Sequence, residues 1–260
     1  MVKLIKCELK KLKRKRFVSL MAFAAFLFPI PITLLAIAGN AGGANGFDWV
    51  FQFVVTYGEA LMLPTVIGII ATMLFFTERD NDTLKNLRVI PVSVGKLALA
   101  KISVLFILTF VFSATVMIAS MLGGVIAGGS INGIIYKFGV AILTGILYTM
   151  GTLPLIICIV HFNKSYVLSI LMTVFYAFFD FAIGFVFIVS DSPVIKTLIN
   201  IMPAAIIYRW QMGMFVDKSA AFYDKVNDYF LPLSMTALTL IIIGGVSCVA
   251  IVYIYKKRER

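Results

Sequence analysis

The chain has 260 residues, of which 61% are hydrophobic and 13% charged, with a formal net charge of +11. A soluble domain carries about 25% charged residues, so this composition belongs to a chain threaded through a bilayer and leaves no room for a separate soluble catalytic domain. The basic excess fits cationic segments held on the inner side of a membrane, and no Lys/Arg cluster interleaved with aromatics suggests a nucleic-acid surface.

Residues 2–16 carry eight Lys and Arg side chains and one Glu, while Val2, Ile5, Leu9 and Leu12 recur at spacings of three and four. That stripe predicts a helix over 1–16 lying on the inner membrane surface, apolar side down and lysines toward lipid phosphates; the plainer alternative is a bare charge run. A first span follows at 17–38, bent by Pro29 and Pro31. The basic start and Ala36-Ile37-Ala38 also have the look of a signal peptide with its cleavage site. The apolar run of 22 residues exceeds the 7–15 of a signal core. The loop 39–52 has no Lys or Arg and falls outside. The second span is predicted at 53–76.

Thr77 to Lys101 is a charged island between two apolar runs. It holds eight charged side chains and cannot lie in lipid. Asp80, Asn81 and Asp82 can cap a helix. Leu84 and Leu87 share one face, and Pro91 biases Ile90 away from helical angles. Ser93 can then cap the following helix, which enters the membrane. The pattern predicts a short capped helix with a small apolar face, suited to docking on something in the cytosol.

Further spans are predicted at 102–127, 139–160, 167–189 and 231–255, with an outer turn at 128–138, an inner turn at 161–166 and a long outer segment at 190–230. Eighteen of the 23 Lys and Arg side chains fall in the segments placed inside, and five in those placed outside. Both termini are therefore expected in the cytosol. Within 190–230, Pro193 to Tyr208 is apolar but too short to cross, and Lys196, Asn200 and Pro203 interrupt it. It should dip in and return, or lie in the interface. Gly213 to Tyr229 carries both signs of charge and reads as solvated.

Glu78, Arg79, Thr83-Leu84-Lys85, Leu87, Pro91, Ser93 and Lys101 resemble the loop between the second and third spans of type-2 ABC exporter permeases. Asp82 stands where that family often has Gly, and Val94 where it often has a basic residue. The resemblance implies that 77–101 forms a coupling helix seated in a groove of a separate ATPase subunit, with Glu78, Arg79, Thr83, Leu84, Lys85, Leu87 and Pro91 as the coupling residues. It further implies a second permease copy or a homologous permease as partner, a re-entrant outer hairpin, and ATP bound by the partner chain, with no cofactor or metal in this one. The short chain without a large outer domain resembles the bacterial subgroup that exports, or confers immunity to, peptide antibiotics such as lantibiotics and bacitracin. A bacterial cell membrane is the implied location.

The fold class expected is all-α: one polytopic transmembrane domain over 1–260 with six transmembrane helices, an N-terminal interfacial helix, a cytosolic coupling helix and a re-entrant outer segment. Two acids inside spans stand out as possible substrate-path residues. Asp180 is mid-span in the fifth helix, where a charge costs about 2.5–3.5 kcal/mol on insertion scales; it either lines a path or a permease interface, or is locally satisfied and only orients helices. Glu59 sits about two turns inside the second span from the outer side. His161, at an inner turn, reads as a boundary residue. The glycines closing the third span, Gly123, Gly124, Gly128 and Gly129, read as close-approach contacts. Cys7, Cys158 and Cys248 have no plausible disulfide partner in this layout, and no Cys/His spacing suggests zinc. The sequence contains no G-x-x-x-x-G-K-[ST], no H-E-x-x-H and no G-x-S-x-G. Two other functions remain alternatives. One is a proton-coupled secondary transporter using Asp180 and Glu59, although the halves show no repeat. The other is a membrane-embedded lipid-modifying enzyme, although no nucleophile stands with a base.

Overall fold

A computed structural model describes residues 1–13, 16–39, 45–80, 93–162, 165–186, 192–219 and 223–258. Among them there is no strand, and six helical stretches are long and apolar enough to cross a membrane: Ser19–Ala38, Gly46–Phe76, Val94–Ile126, Ile134–Phe162, Tyr166–Val186 and Leu233–Lys257. The chain is an all-α polytopic membrane protein.

Helix α1 (Val2–Lys13) turns Ile5, Glu8, Leu9 and Leu12 inward, and this stripe packs on the third span. The stripe read as facing lipid thus meets protein, and Val2 at its start is exposed. The first span is two helices, α2 (Arg16–Leu27) and α3 (Pro29–Ala38). They divide at Pro29, which has no amide hydrogen to continue the ladder. The second span is also composite. Helix α4 (Gly46–Phe53) leads through a π-helical turn at Val54–Gly58 into α5 (Glu59–Asp80). The sequence places 39–52 in a loop, yet α4 is helical from Gly46, with Phe47, Val50 and Phe51 buried. The reason lies on the neighbouring helix α6 (Val94–Ile126): a side chain at Gly124 would run into the Phe47 backbone, so the glycine is what lets α4 pack there. Gly123 makes the same room for Thr33 of the first span.

Ser93 caps α6 as expected, its hydroxyl accepting from the Lys96 amide at 3.4 Å. Gly128, at φ 84°, ends it in the left-handed region open to glycine. Helix α7 (Ile134–Phe162) is the hub, packed against α5, α6, α8 (Tyr166–Val186), α10 (Pro203–Phe215) and α12 (Leu233–Arg258). Its glycines mark the closest contacts: Gly145 against Ser113 of α6, and Gly151 against Pro203 of α10. Between α8 and α12 come α9 (Pro193–Leu198), α10, α11 (Tyr223–Val226) and a 3-10 turn at Asn227–Tyr229.

Ser and Thr within the spans mostly bond back to the carbonyl four residues earlier, as Thr72 does to Gly68, Thr152 to Tyr148 and Thr173 to Ser169. In a bilayer core, where water cannot serve, this satisfies the hydroxyl inside its own helix. One pair crosses helices: Thr109 of α6 and Thr149 of α7 lie 2.8 Å apart. Such contacts average about 0.6 kcal/mol in membrane bundles.

Candidate functional site

Three polar regions interrupt the apolar bundle. The first is at the end where α5 leaves the membrane and α6 enters it. Phe75 packs edge-on against Tyr255, Phe76 against Tyr166, and Gly95 against the Lys256 side chain. The end of α5, the start of α6, the start of α8 and the C-terminal helix are thereby gathered at one end of the bundle. Glu78 and Arg79 lie in the last turn of α5. Thr83, Leu84, Lys85, Leu87 and Pro91, and with them the expected coupling helix, lie outside the described residues. Helix α5 ends at Asp80, and the other two capping candidates, Asn81 and Asp82, lie outside the described residues. Lys101, counted in the sequence as part of the polar island, is fully buried. Its ammonium donates to the Leu74 carbonyl at 2.7 Å and to Glu8 at 3.0 Å. Sequence reasoning missed this pair. The signal was available in Glu8, the one acid of a basic helix, which falls on the same stripe as Ile5 and Leu12.

The second region is the middle of the bundle. Asp180, 1% exposed, accepts a hydrogen bond from the Ala204 amide at 3.1 Å. Ala204 is the second residue of α10 and Pro203 the first, which has no N–H to satisfy. The capping residue of α10 is Met202, whose side chain makes no cap bond. Asp180 therefore does from another helix what a Ser or Asp does at a helix start, and its carboxyl sits at the positive end of the α10 dipole.

Glu59 is fully buried at the exit of the π-turn. Neither of its oxygens makes a well-formed hydrogen bond to a described residue, and the Ser113 hydroxyl, turned toward it, has none either. Thr56 Oγ1, the Tyr148 hydroxyl and Gln211 Oε1 are likewise buried and unbonded among the described residues, and the Gln211 amide reaches Thr144 only at 3.5 Å. The structure does not put Asp180 and Glu59 in contact. Tyr148 is within electrostatic reach of both. Only the two acids were visible in the sequence; Ser113, Tyr148 and Gln211 come from three other helices.

The third region is the opposite end. Lys137 at the start of α7 pairs with Asp48 of α4 and lies over the Phe47 ring. Helix α10 is buried from Pro203 to Met212, wedged against α7, α8 and α12. Of the segment Pro193 to Tyr208, expected to dip in or to lie in the interface, α9 has no buried residue, while the part from Pro203 is inserted among the spans. Arg209 ties it down, donating to the Tyr229 carbonyl at 2.7 Å and to Asn200 at 2.8 Å. A column of rings, Trp49, Phe53, Tyr57, Phe185 and Tyr208, runs from α4 to α8 and α10, with successive centroids 4.1, 5.3, 5.1 and 4.4 Å apart. His161 is exposed at the end of α7, edge-on to Phe162. The three cysteines are free.

A bundle of six apolar helices long enough to cross a bilayer, with buried polar positions among them, defines a multi-pass membrane protein. A family model described as ABC-2 family transporter protein matches residues 4–180. The chain belongs to that family of ABC transporter permeases. No curated protein matches it.

Proposed function

We propose that the chain is the membrane half of an ABC exporter, driven by a separate ATPase that docks on 77–101. Glu78, Arg79, Thr83, Leu84, Lys85, Leu87 and Pro91 form the contact, and ATP is bound by the partner alone. The observation that carries the reading is the joint emergence of α5 and α6 at one end of the bundle, holding 81–92 between them, in a chain of the ABC-2 family. That end is cytosolic, with both termini, and the membrane is a bacterial plasma membrane; the distribution of Lys and Arg supports this orientation. A second permease, identical or homologous, completes the path. The exposed face of α8, with Leu171, Phe175, Phe178 and Phe179, offers a surface for it.

The substrate in this reading is an amphiphile, with peptide antibiotics as the leading class. The aromatic column from Trp49 to Tyr208 supports it, because stacked rings offer broad apolar contact with polar edges. Glu59 belongs to the moving part of the path. Asp180 acts on it by holding α10 in place.

The test is Leu84→Asp in a chain co-expressed with its candidate ATPase subunit. A carboxylate buried in an apolar groove costs on the order of several kcal/mol, comparable to the docking of one short helix. Copurification should be lost while the yield of this chain is kept; wild-type copurification would remove 77–101 from the docking surface. A reporter active only outside the cell, fused after Arg260, should stay silent.

A further inference from the structure

The Glu8–Lys101 pair is more than is needed to hold α1 in place. Ile5, Leu9 and Leu12 already pack this helix on the bundle. Buried ion pairs are often replaceable by apolar side chains without loss of stability. What the pair adds is register. Glu8 is 1% exposed, and its two oxygens are divided between Lys11 and Lys101. Lys101, fully buried on α6, also donates to the Leu74 carbonyl, one and a half turns before the end of α5, and its ammonium lies 5.7 Å from the Phe75 ring. One ammonium thus joins three helices, and two of them are the arms of the segment 81–92. If α5 moves against α6, the contact to Leu74 or the contact to Glu8 must change, and α1 must follow or let go.

We propose that Glu8 and Lys101 are positioning residues of the transport cycle: their pair fixes α1 to the end of α5 and the start of α6, so that α1 moves with these two helix ends as one unit. The role rests on the reading of 77–101 as the ATPase docking site, but the clamp itself does not. The exposed thiol of Cys7, the residue next to Glu8, provides a reporter for it.

The experiment uses the full chain in nanodiscs, with Cys158 and Cys248 replaced by Ser and spin labels on Cys7 and on Lys96→Cys. Label distances are measured alone and, where the candidate ATPase subunit copurifies, with ATP. Glu8→Gln should broaden a distance that is narrow in the wild type. ATP hydrolysis by the complex should fall about tenfold, within the usual range of coupling between sites, with copurification retained. Glu8→Leu combined with Lys101→Met is the second variant, because it leaves no charge stranded. It should restore yield and keep α1 docked through the apolar stripe, yet leave hydrolysis low. Wild-type hydrolysis in that double variant would reduce the pair to packing, and an unchanged narrow distance in Glu8→Gln would remove the clamp. If no ATPase copurifies with the wild type, the docking reading fails, and the distances in the chain alone still decide whether the pair fixes α1.

Discussion

Asp180 and Glu59 are both acids on membrane-crossing helices, both at most 1% exposed, and the protein treats them in opposite ways. Asp180 itself has a partner. Its carboxylate takes the Ala204 amide, and Tyr176, one turn earlier on α8, donates its hydroxyl to the Gly151 carbonyl at 2.7 Å. Glu59 does not: its carboxyl, the Ser113 hydroxyl turned toward it and Thr56, one turn before it, keep unbonded atoms among the described residues, as does Tyr148, which lies within reach of both acids. The difference teaches how to divide buried polarity in a membrane bundle. A buried acid aimed at a helix start is a structural solution, because it supplies an acceptor that the bilayer cannot. A group of buried polar atoms without partners among the described residues carries a desolvation cost that this conformation leaves uncompensated. The π-turn directly before Glu59 agrees with that division, since such bulges mark places where a helix departs from its regular ladder, often at functional positions.

The largest effect is expected at Asp180. Asp180→Leu strands the Ala204 amide, at about 1–3 kcal/mol for an unsatisfied buried donor. It also improves insertion of the isolated span, since an apolar residue replaces an acid at mid-helix. Expression level would mix the two, so the measurement is the thermal midpoint of purified protein. The midpoint should drop clearly in Asp180→Leu and little in Asp180→Asn, whose amide oxygen can still accept from Ala204. An unchanged midpoint in Asp180→Leu would erase the contrast between the two acids.

Glu59→Gln comes next, and the sign is expected to differ. The carboxyl makes no well-formed bond here that the amide would lose, and the amide brings a donor that Ser113 can accept. The midpoint should hold or rise while ATP hydrolysis by the assembled transporter changes. A fall of more than about 1 kcal/mol, the size of one net hydrogen bond, would mean that Glu59 has a partner in the resting structure.

The sequence displayed the spans because uninterrupted apolar runs announce themselves at bilayer length, and it displayed the Ser93 cap because that bond is local, from residue 93 to residue 96. It concealed α4, because Gly, Asn and Asp48 read as a loop while the face that decides the matter is only Phe47, Val50 and Phe51, answered by Gly124 nearly eighty residues away. It also concealed what the charges do. Lys101 counted toward the inner side of the membrane, and nothing local pointed to Glu8. Asp180 was visible as an acid in a span, but its partner is a backbone amide on another helix, 24 residues along the chain, and a backbone amide carries no sequence signature. Ser113 is one of many hydroxyls in apolar runs, and its place opposite Glu59 depends on Gly145 letting α6 and α7 come together.

The smallest effect gives the finest test of the division, because both halves of it occur on one helix. Thr109 and Ser113 are one turn apart on α6 and both are buried. Thr109 bonds across to Thr149 at 2.8 Å and also back to Leu105 at 3.0 Å. Ser113 faces Glu59 with no bond of its own. Thr109→Val keeps the branched shape and removes an interhelical hydrogen bond, so it should cost about 0.6 kcal/mol and no more than about 1.7, the range measured for such bonds in a membrane bundle. Ser113→Ala removes a hydroxyl that has nothing to lose and eases the contact with Gly145, so its midpoint should match the wild type or exceed it. The two measurements are made in the same membrane mimic, and their order matters more than either value. A greater loss in Ser113→Ala than in Thr109→Val would place a real bond between Ser113 and Glu59, and the two acids would then be alike: each satisfied, and each structural.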